Sequence, residues 1–246
     1  MVTNPFLGPS VASRYARARP NLHGEAIAAF SDAIGHAKLA IDLGCGTGMS
    51  THALVGIAES VVGMDASPDM LAKSRRAPDV SFVLGVAERL PFADRTFDFA
   101  TVASAIHWFR LAAIEEVRRV LSAGGRLAVY DIRFRAEMIG VDSFGDWMAH
   151  SCTPRYPHPA RNEHDLASMG FRSLGSETLF REVMMTLDEL TDYLMTHSER
   201  IAAVQEGRES EAQQRAFINE SLAPMFEPAP VRSLTFGITI ELFRVS

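Results

Sequence analysis

The feature that most constrains the fold is a glycine-rich stretch directly after a short apolar run. Residues 39–43 read Leu-Ala-Ile-Asp-Leu, and residues 44–48 read Gly-Cys-Gly-Thr-Gly. Because glycine tolerates positive φ and leaves the backbone bare, such a loop lets a ligand approach the main chain closely. The segment 49–57 has a helical pattern, so the sequence predicts a strand, a loop and a helix in succession.

The same order continues after the glycine loop. A second apolar strand is predicted at 60–65, and a helix is predicted to begin at Pro68, because Ser67 is a preferred N-cap and proline suits the first helical position. Further elements are predicted at the same spacing: strands at 80–84, 97–104 and 125–132, and an amphipathic helix at 111–121. Alternating strands and helices indicate an α/β fold with a doubly wound, mostly parallel sheet.

The alternation ends after residue 132. The stretch 133–159 is rich in Met, His, Pro and aromatic residues, and we expect it to be an insertion. Periodicity predicts these later elements: a helix at 163–169, a strand at 176–186, helices at 187–204 and 209–225, and a last strand at 233–245.

Two carboxylates stand at the ends of the first two predicted strands. Asp65 follows Gly48 by 17 residues and can accept hydrogen bonds from both hydroxyls of a ribose. A nicotinamide dinucleotide would also suit Asp65. Asp42, however, precedes the glycines, where a carboxylate favours a cationic group and disfavours a pyrophosphate. The G-x-G-x-G spacing also differs from the G-x-G-x-x-G of dinucleotide sites, so the residues favour a nucleoside with a cationic tail.

Charge and hydropathy argue against several classes of protein. The formal net charge of −6 gives no attraction to a phosphate backbone, so we expect no nucleic-acid partner. No apolar run approaches the ~20 residues that span a bilayer, and residues 1–19 lack the apolar core of a leader, so we expect a cytoplasmic protein without a membrane partner. Cys45 and Cys152 match no zinc spacing, and we expect free thiols and no metal. The expected partner is a small molecule, and the chain is expected to be a monomer or homodimer.

Five stretches resemble, in order, the motifs of the class I S-adenosylmethionine-dependent methyltransferases. The first is Asp42 to Gly48, which fits the family form E/D-x-G-x-G-x-G completely. The other four are residues 62–71, 85–92, 96–99 and 119–125. The resemblance implies a Rossmann-like methyltransferase fold, S-adenosylmethionine as cofactor and S-adenosylhomocysteine as product.

Carried over position by position, the resemblance implies a set of cofactor contacts. Gly44 and Gly46 would back the methionine part, and Asp65 would hold the ribose. Ala66 and Met70 would flank the adenine, with a core-facing role for Met70 equally open, and Ala87 and Glu88 would border its edge. Many members carry an acid where this chain has Val86, so Glu88 or the Ala87 amide would replace that contact. The full predicted set is Tyr15, Arg19, Asp42, Gly44, Gly46, Thr47, Asp65, Ala66, Met70, Ala87, Glu88 and Ser104.

The stretch Ser104 to Phe109 is similar to the Ala-x-His-Trp-Phe signature of a subgroup that includes trans-aconitate methyltransferase and related small-molecule enzymes. Tyr15 and Arg19-Pro20 resemble its N-terminal segment, and residues 186–198 resemble its helical cap. The resemblance implies one methyltransferase domain over residues 1–246 with a cap inserted in the C-terminal half. Its parts would be a helical lid at 1–37, a cofactor-binding core at 38–132, cap insertions at 133–160 and 187–228, and sheet-completing elements at 161–186 and 229–246.

His107 is the candidate for acceptor positioning or general base, and Trp108 for a wall of the acceptor site. A histidine bonded to backbone and a tryptophan that packs on a helix are the structural alternatives. Arg19 would bind the methionyl carboxylate unless it is a solvated surface arginine. The predicted function is methyl transfer to a small organic acceptor, with O-methylation of a carboxylate or hydroxyl foremost. A nicotinamide-dependent oxidoreductase and a noncatalytic nucleoside-binding module remain as alternatives.

Overall fold

The computed structural model describes residues 4–153, 155 and 164–246. The described residues form two compact units. The sheet unit comprises residues 21–132, 164–179 and 238–246, and the cap unit comprises residues 4–20, 133–153, 155 and 180–237. Residues 21–37, which the sequence groups with the lid, therefore lie in the sheet unit.

A seven-stranded sheet with the order β3-β2-β1-β4-β5-β7-β6 organises the chain. Its strands are β1 (Ala37–Leu43), β2 (Ala58–Asp65), β3 (Val80–Leu84), β4 (Phe97–Ala103), β5 (Leu121–Met138), β6 (Phe171–Thr186) and β7 (Val231–Val245). The first five strands pair in parallel, with Ile41 of β1 level with Val62 of β2 and Ala100 of β4. The predicted open, mostly parallel α/β sheet is confirmed.

Each unit has helices of its own. Those of the sheet unit are α2 (His23–Ala29), α3 (Ser31–Ile34), α4 (Met49–Ala53), α5 (Pro68–Leu71), a 3₁₀ helix (Ile106–Trp108) and α6 (Leu111–Val120). Those of the cap unit are α1 (Pro9–Ala18), α7 (Asp142–Trp147), a π-helical turn (Met148–Cys152), α8 (Leu187–Leu194), α9 (Ser198–Gln205) and α10 (Glu211–Phe226). None of the helices in the described ranges combines the length and apolar character that crossing a bilayer requires.

The hydrophobic core of the sheet unit explains why these segments fold as they do. Ile41, Ala100 and Leu127 of adjacent strands are fully buried, as expected for parallel strands covered on both faces. On α6, Ile114 and Val117 are buried against the sheet at helical spacing. This packing fixes the carboxyl ends of β1, β2 and β4, where ligands bind in open α/β sheets.

Several predicted elements of the second half were wrong in extent or type. Residues 166–170 form turns instead of the expected helix at 163–169, because the Asp165 carboxylate accepts from the N–H groups of Ala167 and Ser168. Residue 163 of that helix, residues 154 and 156–160 of the expected insertion, and residues 161 and 162 lie outside the described residues. The helix expected at 187–204 is divided into α8 and α9, since His197 is extended with φ −73° and ψ 137°.

The strand ends also differ from the prediction. β5 runs on to Met138, well into the expected insertion, and the helix expected at 49–57 ends at Ala53. Phe97 pairs with Leu121 and Phe99 with Arg126, so the residues between the predicted helix at 111–121 and the predicted strand at 125–132 form a bulge inside β5. Gly124 makes this bulge possible with a φ of 73°.

Candidate functional site

The glycine loop joins β1 to α4 at the carboxyl end of the sheet. Gly44, Gly46 and Gly48 have φ values of 69°, 55° and 84°. A Cβ on Gly44 would lie 2.7 Å from the Ala105 Cβ, and one on Gly48 would lie 2.8 Å from the Phe82 ring. A Cβ on Gly46 would meet nothing within 4 Å. Packing thus requires glycine at the two ends of the loop, while the middle glycine faces open space.

Asp65, the last residue of β2, holds this loop through its side chain. One carboxylate oxygen accepts from the Gly46 N–H at 2.7 Å, and the other accepts from the Ser67 N–H at 2.8 Å. Burial raises the pKa of Asp65, and these backbone N–H groups act in the opposite direction. Each oxygen keeps a free acceptor position, so a ligand hydroxyl can still bond to this carboxylate.

Asp42 lies deeper than the rim position that the sequence indicated. Its side chain is fully buried, and its carboxylate accepts from the hydroxyls of Ser50 and Thr51 at 2.7 Å and of Thr101 at 2.8 Å. Burial raises the pKa of Asp42, and the three hydroxyls act in the opposite direction. The expected direct approach to a cation is therefore replaced by a bridge that ties β1 to α4 and β4.

Thr47, between the last two glycines, presents a hydroxyl with nothing to bond to. Its Oγ1 is buried and lacks a hydrogen-bond partner among the described residues. A buried hydroxyl without a partner costs about 1–3 kcal/mol, so such groups are rare unless they serve a ligand. The loop therefore has a hydroxyl that can donate a hydrogen bond to a ligand, next to the open space at Gly46.

The end of β4 carries the predicted acceptor residues. Ser104 has a φ of 51°, donates its N–H to the Tyr130 carbonyl at 2.7 Å, and accepts from the Ile132 N–H at its hydroxyl. This left-handed conformation is uncommon for a residue other than glycine. His107 follows in the 3₁₀ helix, with its ring 5.1 Å from that of Trp108. Trp108 is half-buried against the hydrophobic core, which agrees with the packing alternative for this residue.

The residues expected around an adenine differ in exposure. Ala66 after β2 is exposed, and Val86 after β3 is 50% exposed, while Met70 is 2% and Ala87 7% exposed. Met70 and Ala87 are thus core residues in this structure. The Glu88 carboxylate accepts from the Arg110 N–H at 3.1 Å, next to the start of α6.

Tyr15 and Arg19 belong to the cap unit. The Arg19 guanidinium lies 4.9 Å from the Tyr15 ring centre and 5.3 Å from that of Tyr193, and it donates to the Thr196 carbonyl at 3.1 Å. Its Nε is buried and has no partner within the described part of the chain. Arg19 is therefore held between two aromatic rings, which argues against a purely solvated arginine. Burial raises the pKa of Tyr193 to about 12.

Sequence reasoning missed the hydroxyl residues that bind Asp42. Ser50 and Thr51 stand in the first turn of α4, and Thr101 lies on β4, 59 positions beyond Asp42. The contacts of Ser50 and Thr51 could have been predicted, because two hydroxyl residues shortly after a glycine loop are within reach of the end of the preceding strand. Nothing in the spacing indicated Thr101, whose contact depends on the pairing of β1 with β4.

The part of the chain that carries the glycine loop is similar to known proteins. Residues 41–129, which span β1 to β5 and include the glycine loop and Asp65, match the family model described as a methyltransferase domain. An uncharacterized methyltransferase of Mycobacterium tuberculosis is 43% identical to this chain over 122 residues, which make up 49% of each protein. The chain spans about half the length of the curated relatives it matches.

Solved structures share the fold of this chain, including the matched residues. A protein of Anaeromyxobacter dehalogenans, provisionally assigned as a type II methyltransferase, superposes with a TM-score of 0.67 over 92% of this chain and 96% of its own, at 23% identity. A phosphoethanolamine N-methyltransferase of Haemonchus contortus superposes with a TM-score of 0.54 over 97% of this chain and 57% of its own, at 15% identity. At these identities the likeness concerns the fold.

Proposed function

We propose that this chain is an S-adenosylmethionine-dependent methyltransferase that transfers a methyl group to the oxygen of a small organic acceptor, a carboxylate or a hydroxyl. The observation that carries the proposal is the loop around Gly46. Its one open face lies beside the Asp65 carboxylate and the unpartnered Thr47 hydroxyl. The match of residues 41–129 to the methyltransferase-domain family supports the same reading.

The residues present fit a nucleoside with an amino-acid tail. The free acceptor positions of Asp65 suit the two ribose hydroxyls, and each such charge-assisted bond contributes about 1.5–3 kcal/mol. Bare backbone at Gly46 allows the tail to lie against the main chain, and Thr47 offers a hydroxyl to it. The Haemonchus contortus neighbour is a complex with S-adenosylhomocysteine, which has this chemical form.

The cofactor, when bound, supplies a methyl group on a cationic sulfur. The chain's own residues then act by position and charge. The loop and Asp65 hold the nucleoside, and alignment of the reacting atoms at ~3–3.5 Å is a major source of rate in such displacements. The carboxylates of Asp42 and Asp65 set a negative potential at the end of β1 and β2 that favours a cationic ligand over a pyrophosphate.

We assign His107 the role of acceptor positioning, and of general base where the acceptor is a hydroxyl. It stands in the 3₁₀ helix directly after β4, at the ligand-binding end of the sheet. A carboxylate acceptor carries no proton at neutral pH and needs no base, so His107→Asn should slow transfer to hydroxyls more than transfer to carboxylates.

We further propose that the chain belongs to the methyltransferase subgroup that acts on small acids. The likeness of residues 104–109 to the signature of the trans-aconitate methyltransferase subgroup supports small acids as acceptors. Within the cap unit, Arg19 has the buried, unpartnered Nε that capture of a carboxylate would use. We assign Tyr15 and Arg19 to the methionyl end of the cofactor on this basis.

Ligand-specific thermal stabilisation tests the proposal. S-adenosylmethionine and S-adenosylhomocysteine should raise the melting temperature, while NAD should leave it unchanged; at a ligand concentration 100 times Kd the gain is about 2.7 kcal/mol. Stabilisation by NAD alone would reject the methyltransferase in favour of an oxidoreductase. A mass-spectrometric screen for a gain of one methyl group on small carboxylic acids and phenols then separates an enzyme from a noncatalytic binding module.

A further inference from the structure

The first helix of the cap unit, α1, is short and buries little of its surface. It has 10 residues, Pro9–Ala18, and isolated helices shorter than about 12–15 residues are marginal in water. Of residues 4–20, only Pro5 and Ala12 are buried. By contrast, α10 buries a side chain at every fourth position from 214 to 226. The helical state of α1 therefore depends on its contacts with the rest of the cap unit.

The long side chains that connect α1 to the other helices of the cap unit are charged. Arg14 forms an ion pair with Glu211 of α10. Arg17 donates to one carboxylate oxygen of Asp192, on α8, at 2.6 Å through Nη2 and at 3.2 Å through Nε. One ion pair thus attaches α1 to α10, and a second attaches it to α8.

A third arginine binds the same two carboxylates. Arg215, on α10, forms an ion pair with Asp192, and its Nε lies 3.7 Å from the Glu211 carboxylate. Burial lowers the pKa of Arg215, and the charges of the two α1 arginines lower it further, while the charge of Asp188 raises it. Three guanidinium groups therefore share two carboxylates, so loss of either carboxylate leaves like charges beside each other.

An attachment of this kind is weak and depends on the salt concentration. In each pair one side chain is well exposed, 65% for Arg17 and 44% for Glu211. Salt shortens the range of such interactions from ~10 Å at ~0.1 M to ~3 Å at ~1 M. The side chains of Leu190 on α8 and of Ile218 and Leu222 on α10 are fully buried, and salt does not weaken apolar burial. Salt should therefore detach α1 before it affects α8 or α10.

We propose that α1 is a strap that detaches from the cap unit by local unfolding, and that the ion pairs of its two arginines with Asp192 and Glu211 hold it in place. Detachment also moves Tyr15 and Arg19, because the Arg19 guanidinium lies between the rings of Tyr15 and Tyr193 only while α1 is docked. The strap would thereby control two residues that we assign to the methionyl end of the cofactor. This consequence rests on the proposed function, whereas the strap itself does not.

Hydrogen exchange of the full chain, followed by mass spectrometry, tests the strap. Exchange of residues 9–18 should become faster when NaCl is raised from ~0.05 M to ~0.5 M, while exchange of α8 and α10 stays slow. At low salt, Arg17→Gln should accelerate exchange of residues 9–18 about 1.4- to 5-fold, since it removes one exposed pair. Asp192→Asn should accelerate it about 2- to 30-fold, because it also leaves Arg17 beside Arg215, and should remove most of the salt dependence.

Glu206→Gln is the matched control. It removes an exposed ion pair with Arg208 in the same unit that does not involve α1, so exchange of residues 9–18 should be unchanged. Equal exchange of residues 9–18 at both salt concentrations, or an acceleration that α8 and α10 share, overturns the strap. Saturating S-adenosylhomocysteine should slow exchange of residues 9–18 at low salt. Unchanged exchange in the bound protein overturns the connection to the cofactor, whereas absence of binding by calorimetry rejects the proposed function instead.

Discussion

Substitution of Gly46 by alanine should affect cofactor affinity and the stability of the fold by separate mechanisms, which can be measured independently. Gly46 is the middle glycine of the loop, with a φ of 55°, and an added methyl group there would meet nothing within 4 Å. In the free protein the only cost is the left-handed backbone, about 1–2 kcal/mol for a residue with a Cβ. For a chain of this size that corresponds to a fall in melting temperature of about 2–8 °C.

In the complex with S-adenosylmethionine, the added methyl group has a second unfavourable effect. The methyl group would occupy the open face on which we place the tail of S-adenosylmethionine. Forcing an extra carbon into a filled contact costs about 1–3 kcal/mol, which is about a 5- to 150-fold loss of affinity. The two effects therefore have different sizes and are measured separately, the first by thermal unfolding and the second by titration calorimetry.

Two further alanine variants supply the controls. Gly207, after α9, has a φ of 71° and equally open surroundings, so Gly207→Ala should share the fall in melting temperature and keep the affinity. Gly44→Ala should be the least stable, since its methyl group would lie 2.7 Å from Ala105. An unchanged affinity in folded Gly46→Ala would show that no ligand approaches this face, and the reasoning about the loop would fail.

Three other predictions concern single charged or titratable groups. Asp65→Ala should weaken S-adenosylmethionine binding about 10- to 100-fold, or about 1.4–2.8 kcal/mol, and calorimetry showing an unaltered Kd would remove Asp65 from the site. Asp42→Asn should weaken binding of S-adenosylmethionine about 16-fold more than binding of the product, whose sulfur is uncharged, because a charge pair ~10 Å apart at an effective dielectric of ~20 contributes about 1.7 kcal/mol. An equal loss for both ligands would contradict a charge effect. Burial lowers the pKa of His197 below 6.5 in the folded chain, so its contribution to stability is present above pH 6.5 and lost as the pH falls through the lowered value. The melting temperature of His197→Gln should accordingly fall less than that of the parent between pH 7.5 and 5.5, and parallel pH profiles would refute this.

The parallel half of the fold could be predicted because its signals are local. Each strand from β1 to β4 is a short apolar run that ends at a glycine or a polar residue, and Ser67 accepts from the Met70 N–H as an N-cap, as its position before Pro68 indicates. The last strand, expected at 233–245 from its alternation, is found as β7, but the ends of β5 and β6 could not be predicted in this way. β6 is largely exposed along its length, so it lacks the apolar run that marks a buried strand.

The candidate site shows the same division between local and distant signals. The loop and Asp65 were accessible from the sequence, since their roles depend on glycine and on position at a strand end. The depth of Asp42 was not, because it depends on Thr101 and hence on which strand lies beside β1.

The burial of Asp42 changes how the negative potential at the loop is produced. A carboxylate at the rim would be screened by water and would contact the ligand directly, whereas a carboxylate with three hydroxyl donors acts from beneath the loop in a medium of lower dielectric. Its charge raises the pKa of the nearby Cys45 thiol and Tyr130 hydroxyl, in each case after the larger effect of burial. Asp65 is then left to make the hydrogen bonds, with two backbone N–H groups holding it in place. In the proposed function Asp42 thus supplies field and rigidity, whereas Asp65, which bonds directly to the loop at Gly46, would supply the contact with the ligand.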